Sequence, residues 1–297
     1  MAERIHVKTV EYSITEHCNL SCAHCDHASP LLEARFADVE EFRRDVNELA
    51  GAMYAQQFLV IGGEPLLHPR VLDFLEIART SGISAGVTLV TNGTLLSTAS
   101  SRLWTLIDRL WLSVYPKSAP RIDLEEVKRR CIEHEVFLDM REIGQFRQTL
   151  TNTRNDDPAL VQAVYDRCEL AHRWSCYSIH GGRFYKCSPA PFIKRLLDLR
   201  GVEFDDTDDG IQIFGEPMLG DRLQEYLASP VPLKACSYCL GTSGGYRPHR
   251  QLNKREAAEA LNHVDGPIET LIDLNSVRKA RVWRPLEPAI PAGMGER

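Results

Sequence analysis

Between residues 12 and 141 short apolar, β-branched runs take turns with amphipathic helical stretches, and no other feature restricts the fold of this chain so strongly. The runs are YSIT (12–15), FLVIGG (58–63), VTLVTNG (87–93), LWLSVY (110–115) and VFLDMR (136–141), all rich in residues that suit a pleated sheet. A helix lies between the first two, with Val39, Phe42, Val46 and Leu49 on one face, Asp38 as N-cap and Glu41 three residues on. A second starts at Pro69 and stops near Gly82, and a third carries Leu103, Leu106, Ile107 and Leu110. The fourth opens with Asp123 and Glu126 and puts Leu124, Val127 and Cys131 on one stripe. Strands separated by helices of this length are expected to run parallel, with right-handed crossovers. The expected class is α/β, as a doubly wound sheet or a whole or partial (β/α) barrel. Five strands before residue 145 are too few for an eightfold barrel, so a partial barrel fits better.

Past about residue 165 the pattern changes. CYSIHGGRFYKC (176–187) reads as a hairpin turning on Gly181-Gly182, where positive φ comes at little steric cost, and in that register Cys176 faces Cys187. A helix-like LGDRLQEYLASP (219–230) precedes CSYC (236–239), and RPLEPAIPAGMGER (284–297) has the proline and glycine of a loosely held tail. The expected organisation is a barrel core over 9–160, a small domain over 161–250 and a C-terminal extension over 251–297.

Apolar residues at 43% and charged residues at 26% are ordinary globular values, which sets disordered and disulfide-scaffold readings aside. A net charge of -6 offers no basic footprint for nucleic acid, and no apolar run is long enough to span a membrane. MAERIHVKTVEYSI lacks the apolar core of a secretory signal, so a cytoplasmic chain without nucleic-acid or membrane partners is expected. In a reducing compartment its nine cysteines point to metal ligation or catalysis before disulfides.

TEHCNLSCAHCDHASP (15–30) places Cys18, Cys22 and Cys25 on a loop after the first strand. Three thiolates can hold three irons of a four-iron, four-sulfur cluster and leave the fourth iron open to a ligand, whereas a purely electron-carrying cluster normally closes that corner with a thiolate. A zinc site is the other use of these residues, with Cys22 and Cys25 joining Cys236 and Cys239 as two C-x2-C knuckles.

CNLSCAHC has the C-x3-C-x2-C spacing of the radical S-adenosylmethionine (radical SAM) superfamily, and Gly62-Gly63-Glu64-Pro65 follows the second strand as that superfamily's methionine-binding motif does. From about residue 10 to 142 the chain resembles that family. The cysteine loop, GGEP, Thr91-Asn92-Gly93 and Tyr115-Pro116 each follow the carboxyl end of a strand, the face where sites form in such folds. The resemblance implies that the open iron chelates the amino and carboxylate groups of SAM. Electron transfer to the sulfonium would release a 5′-deoxyadenosyl radical that takes hydrogen from a small-molecule substrate, with a flavodoxin- or ferredoxin-type protein as electron donor. It implies cofactor contacts as well: Gly62 and Gly63 admitting the ligand to the backbone, Glu64 accepting from its ammonium, Pro65, Asn92 by the nucleoside, Ser113 by the ribose or carboxylate, and Arg141 by the methionine carboxylate. Asp139 shares a strand face with Arg141. Relatives commonly carry Phe or Tyr before the third cysteine, packed near adenine; this chain has His24, whose flat imidazole can fill that place.

With Cys131 set aside as a core thiol, Cys168, Cys176, Cys187, Cys236 and Cys239 remain. A hairpin bearing cysteines at facing ends, followed by C-x2-C, resembles the truncated auxiliary-cluster domain called twitch, which implies one auxiliary [4Fe-4S] cluster. Facing geometry favours Cys176 with Cys187, completed by Cys236 and Cys239, and leaves Cys168 as a catalytic thiol able to give hydrogen to a substrate radical. The spacing from Cys168 to Cys187 keeps the exchange of Cys168 for Cys176 open, as does a four-cysteine zinc ribbon. Twitch-bearing relatives imply a sugar, aminocyclitol or nucleoside substrate in a biosynthetic pathway. Oxidation of a carbinol to a ketone is the first expectation, epimerisation through a cysteine donor the second, and sulfur transfer from the auxiliary cluster the third. Peptide modification ranks lower, since the first strand begins near residue 10 and leaves no room for a leader-binding domain. Outside catalysis the alternative is a zinc-stabilised binding module.

Overall fold

The computed structural model describes residues 4–277. The five expected strands are β1 (Ile5–Ser13), β2 (Met53–Ile61), β3 (Val87–Thr91), β4 (Arg109–Val114) and β5 (Phe137–Glu142). They alternate with α1 (Val39–Ala52), α2 (Val71–Thr80), the one-turn α3 (Leu103–Leu106) and α4 (Leu124–Glu133). Asp38 caps α1 by accepting from the Glu40 and Glu41 amides, and Asp123 caps α4 by accepting from the Glu126 amide, so the orphan N–H groups of both first turns find partners. There follow β6 (Gln145–Arg147), α5 (Pro158–Tyr165), α6 (Glu169–His172), β7 (Tyr177–His180), β8 (Arg183–Tyr185), α7 (Ala190–Leu199) and β9 (Gly210–Gln212). The described chain closes with α8 (Leu219–Ala228), β10 (Tyr246–Pro248), α9 (Lys254–Asn262) and α10 (Ile268–Leu271).

One eight-stranded sheet runs β5-β4-β3-β2-β1-β7-β8-β9, while β6 pairs with β10 in a ribbon of its own. Neighbours from β5 to β7 are parallel, and β8 and β9 are added antiparallel. The sheet keeps two edges, so the fold is an open, mostly parallel α/β sheet of the partial-barrel kind and not a closed barrel. The hairpin turns where the glycines allow it, with Gly181 and Gly182 both at positive φ (54° and 72°) and His180 opposite Arg183. It does not, however, belong to a separate body. Val10 lies opposite Tyr177 and Tyr12 opposite Ile179, so β7 continues the barrel sheet across the boundary expected at residue 161.

The two faces of the sheet differ in kind. Val10, Tyr12, Phe58, Val60, Leu89 and Leu110 form one face and pack on Phe42, Val46 and Leu49 of α1 and Phe74 and Leu75 of α2. The Phe42 ring meets Tyr12 at 4.6 Å and Phe74 at 4.8 Å, and each such side chain contributes about 1.5–3 kcal/mol on burial. Cys131 sits in this core, as its helix stripe indicates. The opposite face carries Glu11 in register with Ser178, Trp111 with Asp139 and Ser113 with Arg141. Parallel strands covered by helices on both faces read as unbroken apolar runs; the alternation seen here marks an inner face built for polar contacts.

The described part of the C-terminal extension, 251–277, is docked and not loose. Gln251 bridges Cys22, the Ala23 amide donates to Arg250, and the Leu252 amide donates to Ser21. Asp265 accepts from Gln148, Thr151 and the Asn152 amide. The proline-rich 284–297 segment lies outside the described residues. Among the described residues no helix is long and apolar enough to cross a membrane.

Candidate active site and its two cysteine groups

The cysteine loop leaves β1 and is held by the loop after β2. The Gly63 amide donates to the Thr15 carbonyl (2.7 Å) and the Glu64 amide to that of His17 (2.9 Å). A Cβ on Gly62 would collide with the Thr15 carbonyl, and one on Gly63 with that of His17. The glycines therefore admit the backbone of the cysteine loop. Glu64 likewise has partners within the protein. It is fully buried, and its oxygens accept from Thr91 Oγ1 (2.7 Å), the Asn92 amide (2.8 Å) and the Leu66 amide (3.0 Å). A carboxylate so occupied positions the end of β3. Pro65 opens a short 3₁₀ turn, Pro65–Leu67.

Asn92 Nδ2 donates to Asn19 (2.8 Å) and lies 3.9 Å from Cys18 Sγ, while its Oδ1 accepts from the Thr94 amide and hydroxyl. It thus ties β3 to the cysteine loop. Ser113 sits on the inner face beside the Tyr115 phenol. Arg141 pairs with Asp139 (2.9 Å) and lies over the Trp111 ring at 3.5 Å, so both share the inner face as expected and the guanidinium already has a carboxylate. That contact holds the Asp139 carboxyl below its usual range.

Burial pushes the Cys18 thiol up to about 12 and raises Cys22 and Cys25 as well, and mutual repulsion adds to the first two. Such thiols ionise only beside a strong positive centre. His249 Nε2 lies 3.2 Å from Cys22 Sγ. Its ring stacks on Tyr115 at 5.0 Å, and Phe146 stacks on the same tyrosine at 5.8 Å. Tyr115 has all three thiols as charged neighbours. The rings that reach this group are therefore Tyr115 and His249, with Phe146 stacked behind them, and sequence reasoning missed Phe146 and His249. His24 is exposed at left-handed φ (60°) and lines a cavity of about 410 Å³ with Cys22, Cys25, Arg250, Glu256 and Asp265. Tyr115 was legible as a residue at a strand's carboxyl end. Phe146 and His249 arrive only through the β6–β10 pairing, in which Arg247 lies opposite Phe146.

The second group draws together a different four cysteines from those the hairpin register suggests. The hairpin ladder stops at Ser178–Tyr185, so Cys176 and Cys187 lie beyond it and do not pair. Cys168, Cys187, Cys236 and Cys239 line one small cavity of about 20 Å³, and Cys176 is not among its walls. Cys168 is the leading charged neighbour of Cys187, Cys236 and Cys239 alike. Cys176 has Glu11 as its leading charged neighbour, ahead of Cys168 and Asp26. Cys168 thus lines the cavity with the other three, while Cys176 packs against the Cys168 cluster without lining the cavity. Lys186 also lines this cavity, only 1% exposed, donating to the Tyr165 hydroxyl (2.8 Å) and the Ser229 carbonyl (3.0 Å). Burial lowers its pKa to about 8, against which the Cys236 and Cys187 charges act. A buried cation among four thiols suits an anionic centre.

Among the described residues no three His, Cys, Asp or Glu side chains are gathered as they would be around a single metal ion; a polynuclear cluster spreads its ligands over separate irons. A profile of the Radical SAM superfamily matches residues 12–150. That segment is a radical SAM domain. The GTP 3′,8-cyclase of Chlorobaculum tepidum is 38% identical over 93 residues, covering 30% of this chain and 28% of the relative. The AdoMet-dependent heme synthase of Methanosarcina barkeri is 38% identical over 94 residues, covering 30% and 25%. The chain thus matches these curated relatives over little more than a quarter of their length. Among solved structures, BtrN in complex with AdoMet and 2-DOIA superposes with a TM-score of 0.45 at 13% identity over 82% of this chain and 96% of that one. AdoMet-bound anSMEcpe does so with 0.36 at 19% identity over 46% and 43%. At those scores the likeness carries no argument. The radical SAM domain implies a SAM-binding [4Fe-4S] cluster, and three mutually repelling thiols with no fourth beside them fit it.

Proposed function

We propose that the chain is a radical SAM enzyme that takes hydrogen from a carbon of a small polar biosynthetic metabolite, a sugar, aminocyclitol or nucleoside, and oxidises a carbinol to a ketone. The observation that carries this reading is the arrangement of a polar inner sheet face between a three-thiol loop and a four-thiol cavity. Cys18, Cys22 and Cys25 would hold the SAM-binding cluster, and Cys168, Cys187, Cys236 and Cys239 an auxiliary [4Fe-4S] cluster. When bound, these groups and SAM supply the hydrogen-abstracting radical and an acceptor for the electron the substrate gives up.

The chain's own residues do the rest. Asn92 and Asn19 fix the cysteine loop at Cys18. Tyr115, Phe146 and His249 wall the thiols with flat rings that exclude water. Lys186 offsets negative charge at the second group. A flavodoxin- or ferredoxin-type protein would supply the reducing electron. Epimerisation is the second reading, supported by Cys176, whose thiol does not line the four-thiol cavity and has Glu11 as its leading charged neighbour; it replaces Cys168 as candidate donor. Sulfur transfer is third.

Anaerobic reconstitution tests the whole. About eight irons per chain with matching sulfide, and 5′-deoxyadenosine formed from SAM and dithionite, are the expected results. Colourless protein with stoichiometric zinc would establish the binding-module alternative instead. In heavy water, deuterium at a product stereocentre would mark epimerisation, and a new carbonyl without deuterium would mark oxidation.

A further inference from the structure

Glu11 lies near the carboxyl end of β1, directly opposite Ser178 of β7, and Ser13 follows two residues on, facing the same way. All three are more than nine-tenths buried. Ser13 Oγ nevertheless makes no hydrogen bond, and the Glu11 carboxyl finds only the facing Ser178 hydroxyl among the described residues. An unpaired buried polar atom costs about 1–3 kcal/mol, and native folds leave few of them. A carboxyl and two hydroxyls so sparsely partnered on one patch of one sheet face describe a surface that a ligand completes. On the helix-covered face the nearest comparable group is not left so: the Tyr12 hydroxyl reaches Asp45 at 3.4 Å.

The chemistry of that ligand follows from the three groups. Glu11 has no ion-pair partner among the described residues, and its charged neighbour is another carboxyl, Asp26. Burial raises its pKa to about 8, offset in part by the nearby Ser178 hydroxyl. A buried acid beside a second acid, with no Lys or Arg paired to it, is complementary to a cation that also donates hydrogen bonds, which an ammonium does. The two serine hydroxyls can each donate and accept, as a ligand hydroxyl requires. Cys176 lies two residues before Ser178, next to this patch.

We propose that Glu11, Ser13 and Ser178 form the substrate's anchoring site and that the substrate is a small aliphatic amino alcohol, its ammonium on Glu11 and an adjacent hydroxyl on the serines. This narrows the substrate class named above and rests on that reading only in taking the ligand to be the substrate. A nucleoside without an aliphatic amine would leave Glu11 unmatched.

The test uses two probes that differ at one position, scyllo-inosamine and scyllo-inositol, titrated calorimetrically into the anaerobically reconstituted full chain with SAM and no reductant. The inosamine is expected to bind about tenfold to a hundredfold more tightly than the inositol. Glu11→Gln should erase that preference while iron content stays the same, and Ser178→Ala should weaken both probes equally. If Glu11→Gln fails to fold, Ser13→Ala with Ser178→Ala must weaken both probes for the site to stand. Equal affinity for the probes, no binding of either, or a preference that survives Glu11→Gln overturns the proposal. The enzyme reading fails separately: it falls if wild-type protein forms no 5′-deoxyadenosine from SAM and dithionite, whereas that product together with a lost preference would sink the anchoring site alone.

Discussion

The two cysteine groups solve opposite problems with the same thiol. Cys18, Cys22 and Cys25 come from a single loop, with the polar neighbours Asn92 and His249, and two of them open onto a cavity of about 410 Å³. Cys168, Cys187, Cys236 and Cys239 come from the start of α6, the end of the hairpin and a late C-x2-C, and enclose about 20 Å³ with apolar walls and the one cation, Lys186. A three-thiol site needs space because a further ligand must reach its centre. A four-thiol site is closed, and charge taken out of water there has to be offset from within.

Removing thiols breaks this comparison most severely. Cys22→Ala should abolish 5′-deoxyadenosine formation, and Cys168→Ala should lose about half the iron, whereas Cys176→Ala should keep all of it; iron and sulfide analysis of the three variants decides the assignment. If Cys176→Ala loses iron and Cys168→Ala does not, the ligand set returns to the facing pair of the hairpin. Lys186→Met is the next largest effect and changes sign with loading. Without metal it removes a buried cation and should raise the melting temperature. With metal bound it strands the anionic centre, at a cost of about 3–5 kcal/mol, and the melting temperature should fall below that of loaded wild type. A rise in both states would show that Lys186 does not serve the second group.

At the first group, His249→Phe keeps the stack on Tyr115 but loses the contact to Cys22. A loss of about tenfold to a hundredfold in iron retention against a chelator is expected, the usual size for a group supporting a metal ligand. Unchanged retention would make His249 a packing residue. The last effect is set by pH. Glu11 has its folded pKa raised from 4.5 to about 8, so the folded state holds the proton more firmly. The associated stability is complete below about 4.5 and is lost as pH rises through about 8, at up to about 1.4 kcal/mol per pH unit. Urea titrations of apoprotein from pH 5 to 8 should show that decline in wild type and a flatter profile in Glu11→Gln; parallel profiles would place the carboxyl in water.

Much of the fold was legible because it is written in local periods. Strands β2 to β5 fall within a few residues of their apolar runs, and Asp38 and Asp123 cap α1 and α4 as their positions indicate. The Gly181-Gly182 turn was legible for the same reason, since positive φ at two successive residues is a property of the residues themselves. The site was legible only in outline. Gly62, Gly63 and Glu64 were recognisable as a motif, but their partners are the cysteine-loop backbone, Thr91 and Asn92. No local pattern says which of two surfaces a glycine is sparing. Phe146 and His249, about a hundred residues apart, carried no signal, because their meeting depends on the register of β6 against β10.

By itself the sequence determined that strands would alternate with helices into a parallel sheet, that three thiols would share one loop, and that a hairpin would turn at two glycines. Each of these depends on residues within a few positions of one another. Only the tertiary structure decided that β7 extends the barrel sheet, that Cys168 lines one cavity with Cys187, and that Glu11 and Ser178 face each other in register. Those outcomes turn on where a strand ladder stops and on which distant segments the core draws together, and the free energy of such contacts belongs to pairs of segments far apart in the chain.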